Sequence, residues 1–267
     1  DPAALMRIVQ GLMIYEHVAA DFYVAELSAA RRAESQIRAI EGMLSALLAL
    51  DAAPLKAARA PERRLVGICR HFTLLMTAML RAKGVPARAR CGFGSYFNPG
   101  YFEDHWVCEY WRAEEGRWAL ADPQFDAVWR EKLGIEHDVL DVPRDRFLVA
   151  GDAWALCRDG TLDPDRFGIC FSELRGLWFV AGNLVRDLAA LNGMEMLPWD
   201  IWGAMPAVDT VLDDEALAFF DALAAPLHAP DRHIGALRRR YAEDDGLRVP
   251  DRVFNALRQC EEAILAA

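Results

Sequence analysis

The amino-acid sequence predicts an α+β fold, in which a central helix packs on an antiparallel sheet and further helices flank both. Apolar residues recur at helical spacing from Cys69 to Lys83, whereas residues 87–122 show the alternation and turn signals of strands. Helical periodicity returns from residue 171 onward. We therefore divide the chain into an N-terminal helical segment packed on the core (1–60), an α+β core (61–155) and a C-terminal helical region (156–267).

The bulk composition argues against several classes of protein. The 267 residues carry a net charge of −10, which disfavours binding to nucleic acid or to an anionic membrane, because both require a basic surface. No apolar run approaches the roughly 20 residues of a membrane span. The six cysteines are widely spaced without a C-x-x-C pair, which favours free thiols in a reducing compartment, and we expect a cytoplasmic protein. No secretory signal is visible; since the chain begins at Asp1 rather than Met, removal of an upstream segment stays open.

The N-terminal segment is predicted to be helical from residue 3 to about residue 50. Two apolar stripes at three- and four-residue steps favour this structure, one over residues 5–13 and one over residues 37–48. The Ala-rich residues 52–60 are broken by Pro54, so they predict a connector to the core.

The core begins with a loop that turns directly into a helix, with Cys69 in or beside the first turn. Gly84 and Pro86 end this helix in the usual way. The helix lacks a wide charged stripe, so we expect it to be buried on most sides. The positive end of the helix dipole and the free amides there favour thiolate over thiol, which activates the sulfur of Cys69.

A β-hairpin is predicted after this helix. Residues 87–97 alternate as a strand, and Asn98-Pro99-Gly100 signals a turn. The aromatic and β-branched run at 105–111 and the run at 117–122 are predicted to pair as antiparallel strands. Pro123 ends the second strand because it lacks a ladder donor.

The hairpin brings a histidine and a carboxylate to one face. If Arg112 pairs with Arg117, His105 lies opposite Gln124 and diagonal to Asp122; a shift by two residues places His105 directly across from Asp122. In either register the carboxylate can orient the imidazole. If the start of the central helix packs against this end of the hairpin, Cys69, His105 and Asp122 are nucleophile, base and orienting residue.

The rest of the chain is predicted to be mainly helical. Residues 125–143 allow no assignment, and residues 147–155 fit either a strand or a short helix. Ser172 is a candidate cap for a long helix that ends at Asn192-Gly193. Two or three further helices are predicted near residues 215–223, 231–241 and 251–266.

Three motifs together resemble a known family. In chain order they are G-I-C-R-H-F-T-L-L-M-T-A-M-L-R-A-K-G-V-P-A-R, D-H-W-V-C-E-Y and R-W-A-L-A-D-P, and they span about residues 63–123. They resemble the core of the transglutaminase-like superfamily of papain-like cysteine enzymes. The resemblance implies a transglutaminase-like (papain-like) core in which Cys69 is the nucleophile, His105 the general base and acid, and Asp122 the residue that orients it.

The resemblance also implies acyl transfer. Attack of the thiolate on an amide or ester carbonyl gives a thioester, which water resolves in an amidase or peptidase and an amine resolves in a transamidase. The substrate is then a small-molecule or peptide amide, and the reaction needs no cofactor. The oxyanion would be held by the Cys69 backbone N–H and a second donor, for which Gln36 and the Trp106 indole are candidates. The oligomeric state is open.

Several alternatives stand beside this interpretation. A catalytically silent scaffold that binds a protein partner through its C-terminal helices would keep the same fold, although it has no need for the three reactive groups. His71 is expected to be structural or to support the site rather than to react. A metal site of Cys69, His71, His105 and Asp122 is disfavoured, because Cys-x-His leaves too short a spacer for zinc, and no calcium loop is present.

The acidic pair that precedes His105 has two interpretations. Glu103 and Asp104 can shape a cationic substrate site, but a solvated loop is the expected structure.

Overall fold

A computed structural model describes residues 1–264, and over this range the chain is α+β, as predicted. The α-helices are α1 (Pro2–Leu12), α2 (Ala19–Tyr23), α3 (Ala29–Arg32), α4 (Ile40–Leu50), α5 (Cys69–Ala82), α6 (Ala127–Leu133), α7 (Ala150–Arg158), α8 (Leu177–Leu191), α9 (Asp214–Leu227) and α10 (Pro230–Glu243). The strands are β1 (Met13–Tyr15), β2 (Leu65–Gly67), β3 (Ala87–Gly94), β4 (Phe102–Arg112), β5 (Arg117–Ala121), β6 (Phe147–Val149), β7 (Phe167–Gly168), β8 (Asp200–Ile201), β9 (Arg252–Asn255) and β10 (Cys260–Ala263).

The chain forms two compact units. The first consists of Asp1–Ala89 and Trp106–Pro143, and the second of Arg90–His105 and the residues from Arg144 onward. Strands β3 and β4 each contribute residues to both units. The three segments predicted from the sequence stay a prediction.

The first unit is built around α5, most of whose residues are buried. In this unit β4 and β5 form an antiparallel hairpin that runs from Arg112 opposite Arg117 to Cys108 opposite Ala121, which confirms the first of the two registers considered. Two threonines fix the helix on the hairpin: the Thr73 hydroxyl donates to the carbonyl of Trp106 at 3.0 Å, and the Thr77 hydroxyl donates to the sulfur of Cys108 at 3.3 Å.

The second unit has an apolar core to which α7, α8 and α9 contribute. Residues 92–94 of β3 pair antiparallel with β6, while the start of β4 pairs parallel with β7. A buried ion pair links β3 to α8: the guanidinium of Arg90 donates to both carboxylate oxygens of Asp187 at 3.0 and 2.8 Å. The backbone N–H of Cys91 donates to the same carboxylate at 2.9 Å, so this buried charge is well satisfied.

The prediction for the N-terminal segment is correct at α1 and α4 but wrong between them. Residues 13–39 contain β1 and short helical turns rather than one continuous helix. The reason lies in tertiary pairing, since β1 forms a parallel ladder with β2, with Met13 opposite Leu65 and Tyr15 opposite Gly67. The predicted connector at residues 52–60 is confirmed, because it contains neither helix nor strand.

The C-terminal prediction is correct for α9 and α10 but wrong for the last element. Instead of a helix, β9 and β10 form a hairpin to which β8 adds a third strand. Asn255 starts the turn, where its side-chain oxygen accepts from the N–H groups of Leu257 and Arg258 at 3.1 and 3.0 Å. Residues 265 and 266 of the predicted helix lie outside the described residues.

Three further features of the structure correct or complete the sequence prediction. Helix α8 is capped by Gly176 rather than Ser172, whose hydroxyl donates to the carbonyl of Ile169 in the preceding turn. The stretch left unassigned contains α6, and residues 147–155 form a strand followed directly by a helix. No helix among residues 1–264 has the length and apolar character needed to cross a bilayer.

Candidate functional site

Cys69 occupies the first position of α5, as the sequence predicts. The preceding residue, Ile68, has extended backbone geometry (φ −121°, ψ 178°), so the chain turns sharply from β2 into the helix. An α-helix leaves its first N–H groups without acceptors within the helix, and the thiol therefore sits beside donors and the positive end of the dipole. The Cys69 side chain is buried, with 4% of the residue exposed.

His71 anchors this helix start, and its role is structural as expected. Its Nδ1 accepts from the backbone N–H of Ile68 at 3.3 Å, which leaves Nε2 as the donor to the carbonyl of Ile37 at 3.0 Å. Burial, and then the charge of Arg70, hold the pKa of His71 well below its usual value, so the ring is neutral. Arg70 also donates to the carbonyls of Ile37 and Arg38. Residues 37 and 38 are thus fastened to the first turn of α5.

Gly67 allows this tight entry into the helix. A Cβ at this position would lie 2.8 Å from the Cβ of His71 and 2.8 Å from the terminal methyl of Met13. Only a residue without a side chain fits between β1 and α5 here.

His105 lies in β4 and is buried, with 2% exposed. In the second unit aromatic rings surround it: Phe97 at 4.9 Å, Tyr96 at 6.1 Å and Phe147 at 6.2 Å between ring centroids. All three meet the imidazole edge-on or nearly so, which restricts its orientation.

The two acidic residues before His105 are not in a solvated loop, so that expectation is wrong. Glu103 accepts a hydrogen bond from the N–H of Cys170 at 3.0 Å, and Asp104 accepts one from the side-chain amide of Asn183 at 2.7 Å. Both residues belong to β4, and burial raises the pKa of each carboxyl group. Their hydrogen bonds connect the approach to His105 with α8 and the loop before it.

Asp122 follows β5 directly and is fully buried in the first unit. Its backbone N–H donates to the carbonyl of Val139 at 2.7 Å, and its Oδ1 accepts from the N–H of Gln124 at 3.2 Å. These bonds fix the position of the carboxylate at the end of the strand. Asp122 is therefore a turn residue by its backbone contacts, which does not exclude the orienting role implied by the resemblance.

Several buried polar atoms in the first unit have no hydrogen-bond partner among the described residues, and two of them lie next to candidate site residues. These two are Nε1 of Trp106 and Oε1 of Gln124. Each follows a candidate site residue, at one position after His105 and two positions after Asp122. An unsatisfied buried polar group costs about 1–3 kcal/mol, so two of them beside one strand end call for an explanation. The sequence pointed to Trp106 but gave no reason to single out the side chain of Gln124.

Candidate metal ligands do not cluster in the described part of the chain. Among residues 1–264, no group of three or more His, Cys, Asp or Glu side chains is arranged to hold a metal ion.

Comparison with known protein families concerns the N-terminal half of the chain. Residues 18–123 match the family described as the transglutaminase-like superfamily. The chain is also similar to a protein-glutamine gamma-glutamyltransferase of Pseudomonas aeruginosa, with 33% identity over 110 residues. That alignment covers 38% of this chain and 15% of the Pseudomonas protein, so the chain spans only a small part of this relative. No solved structure matches the chain.

Proposed function

We propose, from the match of residues 18–123 to the transglutaminase-like superfamily, that this protein is a cysteine enzyme that transfers acyl groups. The observation that carries the proposal is Cys69 at the first position of a buried central helix. A thiolate at that position is stabilised by the helix dipole and by amides that have no acceptor within the helix. A catalytically silent scaffold is not favoured, because it would not require this placement.

His105 and Asp122 complete the proposed site. The ladder between β4 and β5 ends at Cys108 opposite Ala121, and the same register continued by three residues puts His105 opposite Gln124 and diagonal to Asp122. Residues 105 and 122 then project from the same face of the hairpin. Asp122 is held by the N–H of Gln124, which supports its role of orienting the imidazole.

The proposed reaction proceeds in two halves. The sulfur of Cys69 attacks the carbonyl carbon of an amide, its proton passes to His105, and the C–N bond breaks as His105 protonates the leaving nitrogen. The product is a thioester on Cys69 and a free amine or ammonia. Water or a second amine then attacks the thioester, gives its proton to His105, and releases the acyl product while the thiol is regenerated.

Trp106 is the proposed second donor to the oxyanion, alongside the backbone N–H of Cys69. The sulfur of Cys108, two residues after Trp106, accepts from Thr77 of α5, so this part of β4 packs on α5. Thr73, one helical turn after Cys69, donates to the Trp106 carbonyl, which keeps the two residues near each other. The buried indole N–H has no partner within the described part of the chain, which suits a donor that binds only the transient oxyanion.

Gln36 stays the alternative donor. It ends the short turn of residues 33–36 and precedes Ile37, whose carbonyl accepts from His71 in the first turn of α5. Hydrogen bonds of Trp106 and of Ile37, the residue after Gln36, therefore link both candidates to the first turns of α5.

A glutamine side-chain amide is the proposed acyl donor, because the Pseudomonas relative is named as a glutamine gamma-glutamyltransferase. The assay is incubation of the purified protein with a glutamine-containing peptide, with and without a fluorescent primary amine. Ammonia release alone indicates hydrolysis, and incorporation of the amine indicates transamidation. Mass spectrometry of the quenched reaction should find the acyl group on Cys69.

Matched variants test the roles of the residues. Cys69→Ser should abolish turnover and the adduct, whereas Cys260→Ser, at an exposed position, should leave both unchanged. Trp106→Phe removes only the indole N–H and should lower kcat by about 10²–10³-fold. Cys69 should still react with iodoacetamide in that variant, and Gln36→Ala should have the smaller effect on kcat. Full turnover in Cys69→Ser would refute the proposed function, and unchanged kcat in Trp106→Phe would refute only the oxyanion role.

A further inference from the structure

A small cavity that is partly open to solvent lies in the second unit, within residues 178–208. Its volume is about 50 Å³, and its walls include Trp178, Phe179, Met205, Pro206 and Val208 together with Arg186. The walls are mainly apolar, with one cationic side chain among them. Val208, 55% exposed, lies on the solvent side.

Arg186 is the unusual member of this lining. It lies in α8 with only 8% of the residue exposed, and its hydrogen bonds go to neutral acceptors: Nη1 donates to Oδ1 of Asn183 at 3.1 Å and Nη2 to the carbonyl of Asp200 at 3.2 Å. Its Nε is buried without a partner among residues 1–264, and no carboxylate there forms an ion pair with it. Buried charges without a counter-ion are unfavourable by several kcal/mol in general.

Asp104 compensates this charge in part, through space and through Asn183, but it forms no ion pair with Arg186 among the described residues. Asp104 accepts from the amide of Asn183 at 2.7 Å, and Asn183 in turn accepts from Arg186. Burial raises the pKa of Asp104, which weakens it as a counter-ion. By contrast Arg90, the other buried arginine that contacts α8, has a direct two-oxygen pair with Asp187. Arg186 is therefore a buried cation with an unused donor beside an apolar space.

We propose that this cavity binds a small aliphatic carboxylate, with a carboxylate oxygen accepting the Nε–H of Arg186 and the alkyl group packed against Trp178, Phe179 and Met205. One water-sized probe occupies about 10–15 Å³, so the cavity holds a group of roughly four or five non-hydrogen atoms. This size takes the carboxylate and the nearest carbons of a short branched acid, while its outer carbons pass Val208 toward solvent. The site is separate from the proposed acyl-transfer site and does not depend on it.

Gly182 keeps the guanidinium accessible. It lies one turn before Arg186 on α8, and a Cβ at this position would lie 3.1 Å from Nη1 of Arg186. Such a contact is tighter than normal packing, so a side chain here would displace the guanidinium from the cavity.

The proposal is tested by binding of isovalerate to the full chain, measured by ligand-observed NMR and calorimetry. The neutral isosteres isovaleramide and isoamyl alcohol are compared at the same concentrations. Isovalerate should bind, and both neutral compounds should bind at least ten-fold more weakly, because only the carboxylate compensates the charge of Arg186.

Three variants identify the site. Arg186→Lys keeps the charge but lacks the Nε–H, and Gly182→Ala narrows the space beside the guanidinium; each should weaken isovalerate binding at least ten-fold. Gly235→Ala is the matched control on α10, where an added Cβ meets no atom of residues 1–264 within 4 Å, and it should bind as the natural chain does. If Arg186→Lys does not fold, the affinity of Gly182→Ala for isovalerate is the test of the site. The proposal is overturned if isovalerate does not bind, if the amide binds equally well, or if the folded site variants bind normally.

Discussion

Acidification should destabilise this protein through His71. The pKa of the folded-state ring lies well below 6.5, because of burial and then Arg70, whereas an unfolded-state histidine titrates near 6.5. Below that pH the unfolded chain binds a proton that the folded chain excludes, so the free energy of unfolding falls as the pH falls. For one such group the loss is about 1.2 kcal/mol between pH 7 and pH 5.5, and it approaches about 1.4 kcal/mol for each further unit.

The hydrogen bonds of His71 explain why it excludes the proton. Nδ1 accepts from the N–H of Ile68, and protonation would set two donors against each other there. It would also put a second positive charge beside Arg70 and near the positive end of α5. Acid should therefore loosen the first turn of α5, where Cys69 lies.

The assay is urea denaturation at pH 7 and pH 5.5, followed by tryptophan fluorescence. His71→Gln retains a donor and an acceptor but cannot ionise, so it should be less stable at both pH values yet lose about 1.2 kcal/mol less between them. His233→Gln, at an exposed position, is the matched control and should lose as much as the natural chain. Equal losses in the natural chain and in His71→Gln would refute this reasoning.

Three further predictions concern the second unit. Asp187→Ala should lower the free energy of unfolding by about 3–5 kcal/mol, because it leaves the buried Arg90 without its counter-ion. An Arg90→Met/Asp187→Leu double variant should recover most of this loss. Additive losses of the two changes in urea titrations would contradict this account. Burial and then Glu103 raise the pKa of Cys170 to about 11. At pH 8 iodoacetamide should therefore label Cys170 at least ten-fold more slowly than the exposed Cys260. If Cys170 is labelled no faster in a Glu103→Gln variant, the carboxylate of Glu103 does not contribute to the raised pKa. Gly92→Ala would place a Cβ 2.2 Å from a carbonyl oxygen of β6 and should lower the free energy of unfolding by about 1–3 kcal/mol or more, measured by thermal or urea unfolding. An unchanged free energy of unfolding would show that the two strands move apart easily.

The sequence predicts best where local signals and tertiary structure agree. Helix α5 begins at Cys69 and ends before Gly84, whose φ of +74° suits glycine, as the pattern indicated. The pairing of Arg112 with Arg117 follows from the length of the loop between them and needs no other part of the chain. These local rules suffice for the helix and the hairpin that carry the candidate residues.

Prediction fails where distant partners decide the structure. Met13 belongs to an apolar stripe that suits a helix, yet it pairs with Leu65, 52 positions later, in a parallel strand. The residues after Asp251 have helical spacing, but pairing of β9 with β8 and β10 turns them into a sheet. The indole N–H of Trp106 and the Nε–H of Arg186 have no hydrogen-bond partner among residues 1–264, and no sequence pattern predicts such an absence.

The two hydrogen bonds to the carbonyl of Ile37 affect the order in which this part of the chain folds. They come from residues 33 and 34 positions later, so the loop before α4 is synthesised well before the side chains that order it. A fragment that stops ahead of Cys69 would lack both donors and leave that carbonyl to water. Residues 37 and 38 therefore take their final position only when the first turn of α5 is complete, and the nucleophile and its neighbouring loop become ordered in one step.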